Sequence, residues 1–184
     1  HKLIEECMLA ANVAAARFLL RKRIPALYRV HESPSAEKLL DLHKFLGELG
    51  LKLGGGLEPT AKDYADLLHR VEGRADAHMI QTVLLRSMMQ AVYSADNNGH
   101  FGLAYDAYTH FTSPIRRYPD LLVHRALVAA LGLGDGGMTK DRHAQLGQIA
   151  RDISDLERRA MAAERETVDR LTAAFLADRI GATF

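Results

Sequence analysis

The sequence has little of what marks several large classes of protein. It contains a single cysteine, Cys7, among 184 residues, which excludes an internal disulfide and any metal site built from several cysteines. No apolar run approaches the roughly 20 residues that a membrane-spanning helix needs, and the first residues lack the pattern of a secretory signal peptide. We therefore expect a cytoplasmic protein in a reducing environment.

Charge of one sign is also lacking, because 24 Lys and Arg are balanced by 23 Asp and Glu, for a formal net charge of +1. Such a balance gives no argument from bulk charge for a nucleic-acid partner, so that argument depends on where arginines cluster. The sequence has no internal repeat, no Cys/His cluster with metal-ligand spacing and no recognisable Ser-His-Asp array. The nine histidines are scattered, and we expect most of them to be surface or packing residues.

What the sequence does contain is apolar residues at helical spacing along most of its length. The chain is long enough to bury a core, and we predict an α+β, mainly helical fold. Helices are predicted over residues 2–20, 36–49, 60–71, 75–93, 119–131 and 139–180. The third helix is expected to begin with a capping box between Thr60 and Asp63. Residues 27–32 are expected to form a short strand or an extended link.

Three carboxylate and amide positions on these helices have an open role. The last helix has apolar residues alternating at three and four, which predicts a packing seam: Leu146, Ile149, Ile153, Leu156, Ala160 and Ala163. Glu164 falls on this apolar stripe, where a carboxylate is costly unless it is paired or used. An ion pair and a polar contact to a substrate both remain possible for it. On the first helix, Glu5 and Asn12 lie close together and are either a solvated flank or a substrate contact.

We expect the rest of the chain to pack around residues 100–125, HFGLAYDAYTHFTSPIRRYPDLLVHR. Residues 100–104 and 108–112 alternate enough to form a small antiparallel strand pair, which would complete a larger sheet in an intact domain. The Ser-Pro step at residues 113–114 predicts a helix start. Because Pro119 cannot continue a helix, the first turn must end or kink there, and a second helix start follows.

This pattern predicts a site for a phosphate. Free backbone N–H groups are expected near residues 113–116, where the helix dipole favours an anion. Arg116 and Arg117 project from the same turn and offer bidentate donors. Stacking on aromatic rings together with arginine is the usual chemistry for holding single-stranded nucleic acid. The aromatic rings nearby are those of Tyr105, Tyr108 and Tyr118.

A structural role for the same arginines is equally open. Arg116 or Arg117 could pair with Asp106 or Asp120 and so lock a corner of the chain. The residues by themselves therefore leave three functions: part of an enzyme, a non-catalytic single-stranded RNA-binding module, or a helical interaction protein. If Arg116 is turned into the protein interior, the phosphate-binding interpretation loses its mechanism.

The central segment resembles the signature of the ribonuclease II / ribonuclease R family, in the later part of its RNB catalytic domain. The resemblance extends to LIEECMLAANVAAARFL, LLRSMMQAVYS and AAERETVDRLTAAFL, so it covers essentially the whole chain, and it points to bacterial, ribonuclease R-like members. It implies a processive 3′→5′ hydrolytic exoribonuclease. Such enzymes degrade RNA to nucleoside 5′-monophosphates with a divalent metal, generally magnesium.

The resemblance also implies roles for particular residues. Arg116 matches the active-site arginine of the family, which contacts the scissile phosphate and would stabilise charge in the transition state. Glu164 resembles a glutamate that contacts RNA near its 3′ end, and Glu5 or Glu6 is a weaker match of the same kind. The full set expected to bind RNA is Ser113, Arg117, Tyr118, Glu164, Glu5 and Glu6.

One part of the family pattern has no match in this sequence. The aspartate cluster that holds the metal belongs to the earlier half of the catalytic domain, so we expect Mg²⁺ to be bound by aspartates outside this chain and the chain alone not to hydrolyse RNA. Residues 1–180 would form the C-terminal part of that domain, a piece partnered by its N-terminal half. Residues 181–184 would begin an S1-like RNA-binding domain.

Overall fold

The computed structural model describes residues 1–179 and 181–182, which are mainly helical. The helices are α1 (Lys2–Lys22), α2 (Ala36–Glu48), α3 (Ala61–Val71), α4 (Ala77–Ser87), α5 (Tyr118–Leu131), α6 (Lys140–Ala144) and α7 (Leu146–Leu176). The strands β1 (Tyr28–Val30) and β2 (Val92–Ser94) pair antiparallel, with Tyr28 opposite Ser94. The predicted fold class, helices around a small antiparallel strand pair, is therefore confirmed.

The position of the strand pair differs from the prediction. Residues 27–32 do contain a strand, but residues 100–104 and 108–112 do not pair with each other. Residues Phe101–Leu103 form a 3₁₀ turn, which is closed by the left-handed conformation of Ala104 (φ 55°). The segment 108–112 has no regular secondary structure, and three of its backbone groups bond elsewhere.

Those backbone groups of residues 108–112 are satisfied by strand β1 and by side chains. The carbonyl of Tyr108 accepts a hydrogen bond from the N–H of Arg29 (2.9 Å). At Phe111, the N–H donates to Oδ1 of Asn12 (3.0 Å) and the carbonyl bonds the His124 ring (2.8 Å). These three groups are therefore not available for a ladder with residues 100–104.

Helix ends follow the prediction with two corrections. The predicted fourth helix stops at Ser87 instead of residue 93, because residues 92–94 form β2. The predicted last helix is interrupted at Gln145, which separates α6 from α7. The capping box at α3 is confirmed, since Oδ2 of Asp63 accepts from the N–H of Thr60 (2.7 Å). Hydrogen bonds from Thr60 lower the pKa of Asp63.

Two apolar clusters form most of the core. One joins the end of α1 and the β1–β2 pair to α5 and the start of α7, through Leu19, Leu27, Tyr93, Leu122, Val123, Leu146 and Ala150. The other joins α2, α3 and α4, through Leu39, Leu42, Leu46, Tyr64, Leu67, Ile80 and Leu84. Because α5 is anchored in the first cluster, the chain that leads into α5 is held by the core.

The second half of α7 carries apolar side chains on its surface. The predicted seam packs against the core as far as Ile153, but Leu156 is 58% exposed. Val168, Leu171 and Phe175, which continue the stripe, are also exposed, as are Leu3 and Ile4 on α1. Within the described residues, no helix combines the length and the apolar character that crossing a membrane requires.

Seven aromatic rings, several of them from the segment 100–111, contact one another in a row. Successive ring centroids are 5.1–6.0 Å apart along Tyr64, Phe101, His31, His100, Tyr108, His110 and Tyr93. Burial lowers the pKa of His100 to about 4. Burial and then the charges of Arg117 and Arg29 lower the pKa of His110 to about 4. Both histidines are therefore packing residues that remain neutral at pH 7, and this part of the expectation is confirmed.

An ion pair joins the strand pair to α7. Arg29 on β1 donates to both carboxylate oxygens of Glu157 at 2.7 and 3.2 Å, and its guanidinium lies 4.5 Å from the ring centroid of Tyr93. The N–H of Tyr93 also donates to the hydroxyl of Ser154 on α7 (3.0 Å). The Arg29 side chain is only 14% exposed, so these contacts fix α7 against β2.

Replacing Glu157 with alanine should destabilise the chain by about 1–2 kcal/mol, because it leaves a largely buried guanidinium without its counter-charge. The midpoint of urea unfolding measures the loss. The matched control is Asp155→Ala on the same helix. The side chain of Asp155 is 63% exposed and that of its partner Arg158 is 55% exposed. That control should cost less than about 0.5 kcal/mol, and equal losses would contradict the assignment.

Acidification should destabilise the chain between about pH 6.5 and about pH 4. The folded state keeps the pKa of His100 and His110 at about 4, whereas unfolded histidines titrate near 6.5. The stabilisation is complete above pH 6.5 and falls as the pH drops. Because both rings are partly exposed, the loss for each histidine should stay well below the limit of about 1.4 kcal/mol per pH unit. Urea unfolding of the chain at several pH values measures the slope.

His110→Gln should make this pH dependence shallower, because one buried titrating ring is removed. His69→Gln is the matched control, since the side chain of His69 is 76% exposed. A slope that is unchanged in His110→Gln would show that other groups cause the acid sensitivity.

Candidate nucleic-acid interface

The two arginines lie on one tight turn between the extended segment 108–112 and α5. The carbonyl of Ser113 accepts hydrogen bonds from the N–H groups of Arg116 (3.3 Å) and Arg117 (3.0 Å). Helix α5 then begins at Tyr118, with Pro119 in its first turn. The turn followed by a second helix start is the arrangement that the two prolines predict.

A buried carboxylate closes this turn. Asp120 is fully buried, and its Oδ1 accepts from the N–H of Ser113 (2.7 Å) and from Nη2 of Arg117 (2.8 Å). The structural alternative for the arginine pair is thus correct for Arg117. The expectation of free backbone N–H groups is wrong for Ser113, Arg116 and Arg117, whose N–H groups are all bonded within the corner. These three N–H groups are therefore not available to an anion.

The side chain of Arg116 takes no part in the contacts of Asp120. Its side chain is exposed and lines a cleft of about 470 Å³ between the turn and α7. The other residues that line the cleft are Tyr93, Arg117, Tyr118, Pro119, Ile153, Leu156 and Glu157. Arg116 is therefore not turned into the protein interior, which is the position that would have argued against phosphate binding.

The walls of this cleft combine three kinds of surface. Arg116 supplies a guanidinium with bidentate donors, and the 40% exposed ring of Tyr118 supplies an aromatic face. Ile153 and Leu156 supply apolar surface from α7. The carboxylate of Glu157 has its charge offset by Arg29. A phosphate with a neighbouring planar or apolar group matches this combination.

Glu164 lies in a different place. It is exposed on α7 and lines a hollow of about 570 Å³ together with Gln90, Arg158, Met161, Arg165 and Asp169. Seven residues of helix separate it from Glu157, a rise of about 10 Å. Because Glu164 is in solvent, the argument that a buried carboxylate there needs a partner does not apply. Within the described residues, Glu164 and Arg116 do not share a cleft.

Glu5 lies on the other side of the turn. It lines a groove of about 390 Å³ between α1 and the turn, where Tyr108, Thr112 and Arg117 form the facing wall. Glu6 is exposed on α1 and is not part of that lining. Asn12 is 4% exposed and is neither a solvated flank nor a free polar contact. Its amide donates to the Tyr108 hydroxyl (3.0 Å) and accepts from the N–H of Phe111.

Sequence reasoning missed the contacts that hold the cleft together. Asp120 was recognised only as one possible partner of either arginine, and the pairing of Arg29 with Glu157 was not recognised. The pattern Arg117-x-x-Asp120 in a first helical turn is a usable signal for the first contact. The second joins residues 128 positions apart, and a single sequence carries no signal for it.

The described residues do not fit a divalent metal ion. Among residues 1–179 and 181–182, no three or more His, Cys, Asp or Glu side chains lie close enough together to hold one. Magnesium requires several oxygen ligands in near-octahedral geometry. We therefore derive no chemical step through a metal from these residues.

Comparison with known proteins gives the family. The model of the RNB domain matches residues 1–132. Ribonuclease R of Vibrio parahaemolyticus is 50% identical over 191 residues, which cover 98% of this chain and 23% of that protein. The chain thus spans about a quarter of the length of the curated relatives that it matches.

Solved structures agree with the sequence match. Mycoplasma genitalium RNase R in complex with ribose-methylated single-stranded RNA has a TM-score of 0.90 and 36% identity, over 98% of this chain and 29% of that one. Its complex with double-stranded RNA has a TM-score of 0.89, 35% identity and coverages of 98% and 33%.

A more distant match is yeast Ssd1, described as a pseudonuclease, with a TM-score of 0.67 and 27% identity over 83% of this chain and 19% of that one. The resemblance seen in the sequence is confirmed by the match to the domain model together with the relatives named ribonuclease R. The chain belongs to the RNB domain family.

Proposed function

We propose that this chain is part of a processive 3′→5′ hydrolytic exoribonuclease that releases nucleoside 5′-monophosphates. It contributes the phosphate-contacting arginine and part of the RNA channel. The observation that carries the proposal is the placement of Arg116, which is exposed on a rigid turn and lines a cleft. A donor fixed where charge develops stabilises a transition state without reorganising at the moment of reaction.

The two arginines have different roles in this proposal. The guanidinium of Arg117 donates to Asp120 (2.8 Å) and its side chain is 22% exposed, so Arg117 shapes the corner. Arg116 contacts the scissile phosphate. Ser113 contributes through its carbonyl, which closes the turn on Arg116.

RNA is the proposed partner because the cleft offers what a nucleotide chain presents. Tyr118 provides a stacking face beside the guanidinium of Arg116. The complexes of Mycoplasma genitalium RNase R with single-stranded and double-stranded RNA support RNA as the ligand class. Since the formal net charge is only +1, attraction of the phosphates must come from this local arginine and from the rest of the protein.

The remaining parts of the activity lie outside this chain in our proposal. Mg²⁺ is held by aspartates of the N-terminal half of the same catalytic domain, of which residues 1–180 form the C-terminal part. Residues 181–184 begin an S1-like domain, and of these residues 183 and 184 lie outside the described part of the structure. Contacts to RNA from Glu164, Glu5 and Glu6 and a cytoplasmic location complete the proposal.

A non-catalytic RNA-binding module is the alternative. The yeast protein Ssd1 supports it, since a protein described as a pseudonuclease shares this fold at a TM-score of 0.67. The same cleft would then hold phosphates without cutting them. A helical interaction protein is less favoured, because only Arg117 is used structurally while Arg116 is exposed at the cleft.

In the full-length protein with Mg²⁺, Arg116→Ala should lower kcat for release of mononucleotides from single-stranded RNA by about 10²–10³-fold, because a donor to the developing charge is lost. Arg116→Lys should retain part of the activity, since it keeps the charge but loses the bidentate geometry. The control is Arg142→Ala, an exposed arginine on α6. A kcat that is unchanged in Arg116→Ala would overturn the assigned role.

The 184-residue chain alone should bind single-stranded RNA weakly and release no mononucleotides in Mg²⁺. Its affinity should fall with salt, and Arg116→Ala should reduce the slope of log K against log [salt] by about one phosphate contact. Fluorescence anisotropy and chromatography of the products measure both. Hydrolysis by the chain alone would refute the proposal that the metal-binding aspartates lie elsewhere. Full-length protein that binds RNA but cuts none would favour the alternative.

A further inference from the structure

We propose that Asp120 is a positioning residue for Arg116: it holds the turn in the one shape that aims the Arg116 guanidinium into the cleft. The inference rests on the proposed function for the role of Arg116. It goes beyond the pairing of Asp120 with an arginine, because it gives Asp120 an effect on the direction of the Arg116 side chain. It concerns the geometry of the turn, which can be measured separately from any activity.

A single oxygen atom of Asp120 joins the two ends of the turn. Its Oδ1 accepts from the N–H of Ser113 at 2.7 Å and from Nη2 of Arg117 at 2.8 Å. Arg116 lies between these two residues. The carbonyl of Ser113 also accepts hydrogen bonds from the N–H groups of Arg116 and Arg117. The backbone around Arg116 is therefore held both by the Asp120 carboxylate and by the hydrogen bonds of the turn.

Proline residues remove much of the remaining freedom. Pro114 fixes φ at the start of the turn and Pro119 fixes it at the start of α5. The two prolines do not fix the angle between the 113–117 turn and the axis of α5. Asp120 lies in the first turn of α5 and accepts hydrogen bonds from Ser113 and Arg117, which precede the helix. It therefore fixes the orientation of the 113–117 turn relative to α5.

Burial makes this contact costly to break. Asp120 has no exposed surface, and its charge is balanced by Arg117 and by the positive end of the α5 dipole. Charge-assisted hydrogen bonds in such surroundings are stronger than neutral ones. Removing the carboxylate would leave the Arg117 side chain, only 22% exposed, without a counter-charge, and the turn would rearrange to solvate it.

A rigid anchor matters for Arg116 because its own side chain is long and exposed. A guanidinium that must be immobilised on binding costs rotamer entropy, and a displaced backbone adds misalignment to that cost. Holding the backbone at residue 116 limits the search to the side-chain torsions. Asp120 therefore affects the chemical step through another residue and does not itself contact the substrate.

The first test is a double-mutant cycle in the full-length protein with Mg²⁺ and single-stranded RNA. Asp120→Asn should lower kcat by on the order of tenfold to a hundredfold while KM changes much less, as expected for a misplaced transition-state donor. In an Arg116→Ala background the same change should produce little further loss. The control is Asp106→Asn, an exposed carboxylate of the same segment, which should change neither constant.

An equal loss from Asp120→Asn in both backgrounds would overturn the proposal, since Asp120 would then act independently of Arg116. A loss that appears only as a lower melting temperature, with kcat per folded molecule unchanged, would also overturn it. Asp120→Asn keeps an acceptor oxygen of nearly the same shape, which guards against simple failure to fold. Thermal unfolding of each variant establishes the folded fraction.

The second test needs no activity. Amide hydrogen exchange in a peptide spanning residues 113–117 should be faster in Asp120→Asn, and faster still in Asp120→Ala, than in Asp106→Asn. If the wild-type full-length protein does not hydrolyse RNA, the proposed function fails, and this measurement still decides whether Asp120 holds the turn. Unchanged exchange in both Asp120 variants would overturn the inference whatever the activity.

Discussion

The corner that presents Arg116 depends on one carboxylate oxygen buried at the start of α5. By accepting from the backbone of Ser113 and the side chain of Arg117, Asp120 gives two adjacent arginines different fates. Arg117 is held in the corner by Asp120, with 22% of its side chain exposed, while Arg116 is exposed at the cleft. Two arginines that look equivalent in sequence thus differ in the structure, because one is paired with a buried carboxylate and the other is exposed.

Much of the helical framework could be predicted because its signals are local. The capping box of Thr60 and Asp63 and the second helix start at Pro119 each depend on residues within one turn of chain. The strands could not be located in the same way. Val30 pairs with Val92 across more than 60 residues, and the segment 108–112 looks like a strand but has its backbone groups bonded to Asn12, His124 and Arg29.

The candidate site divides along the same line. The two prolines predict that Arg116 and Arg117 share a turn. They do not predict which arginine is exposed, because both Asp106 and Asp120 were available as partners. Glu164 was placed on a buried stripe because its helix is apolar at that spacing. The structure leaves that half of α7 exposed, and periodicity alone cannot say whether an apolar face has anything packed against it.

The ion pair on β1 also sets the electrostatic character of the cleft. Glu157 lines the same cleft as Arg116, and a free carboxylate there would attract that guanidinium and repel a phosphate. Arg29 donates to both carboxylate oxygens, so that among the described residues Glu157 is paired with Arg29 and not with Arg116. A residue on a strand thereby offsets a negative charge beside an arginine that lies on a turn almost 90 residues further along the chain.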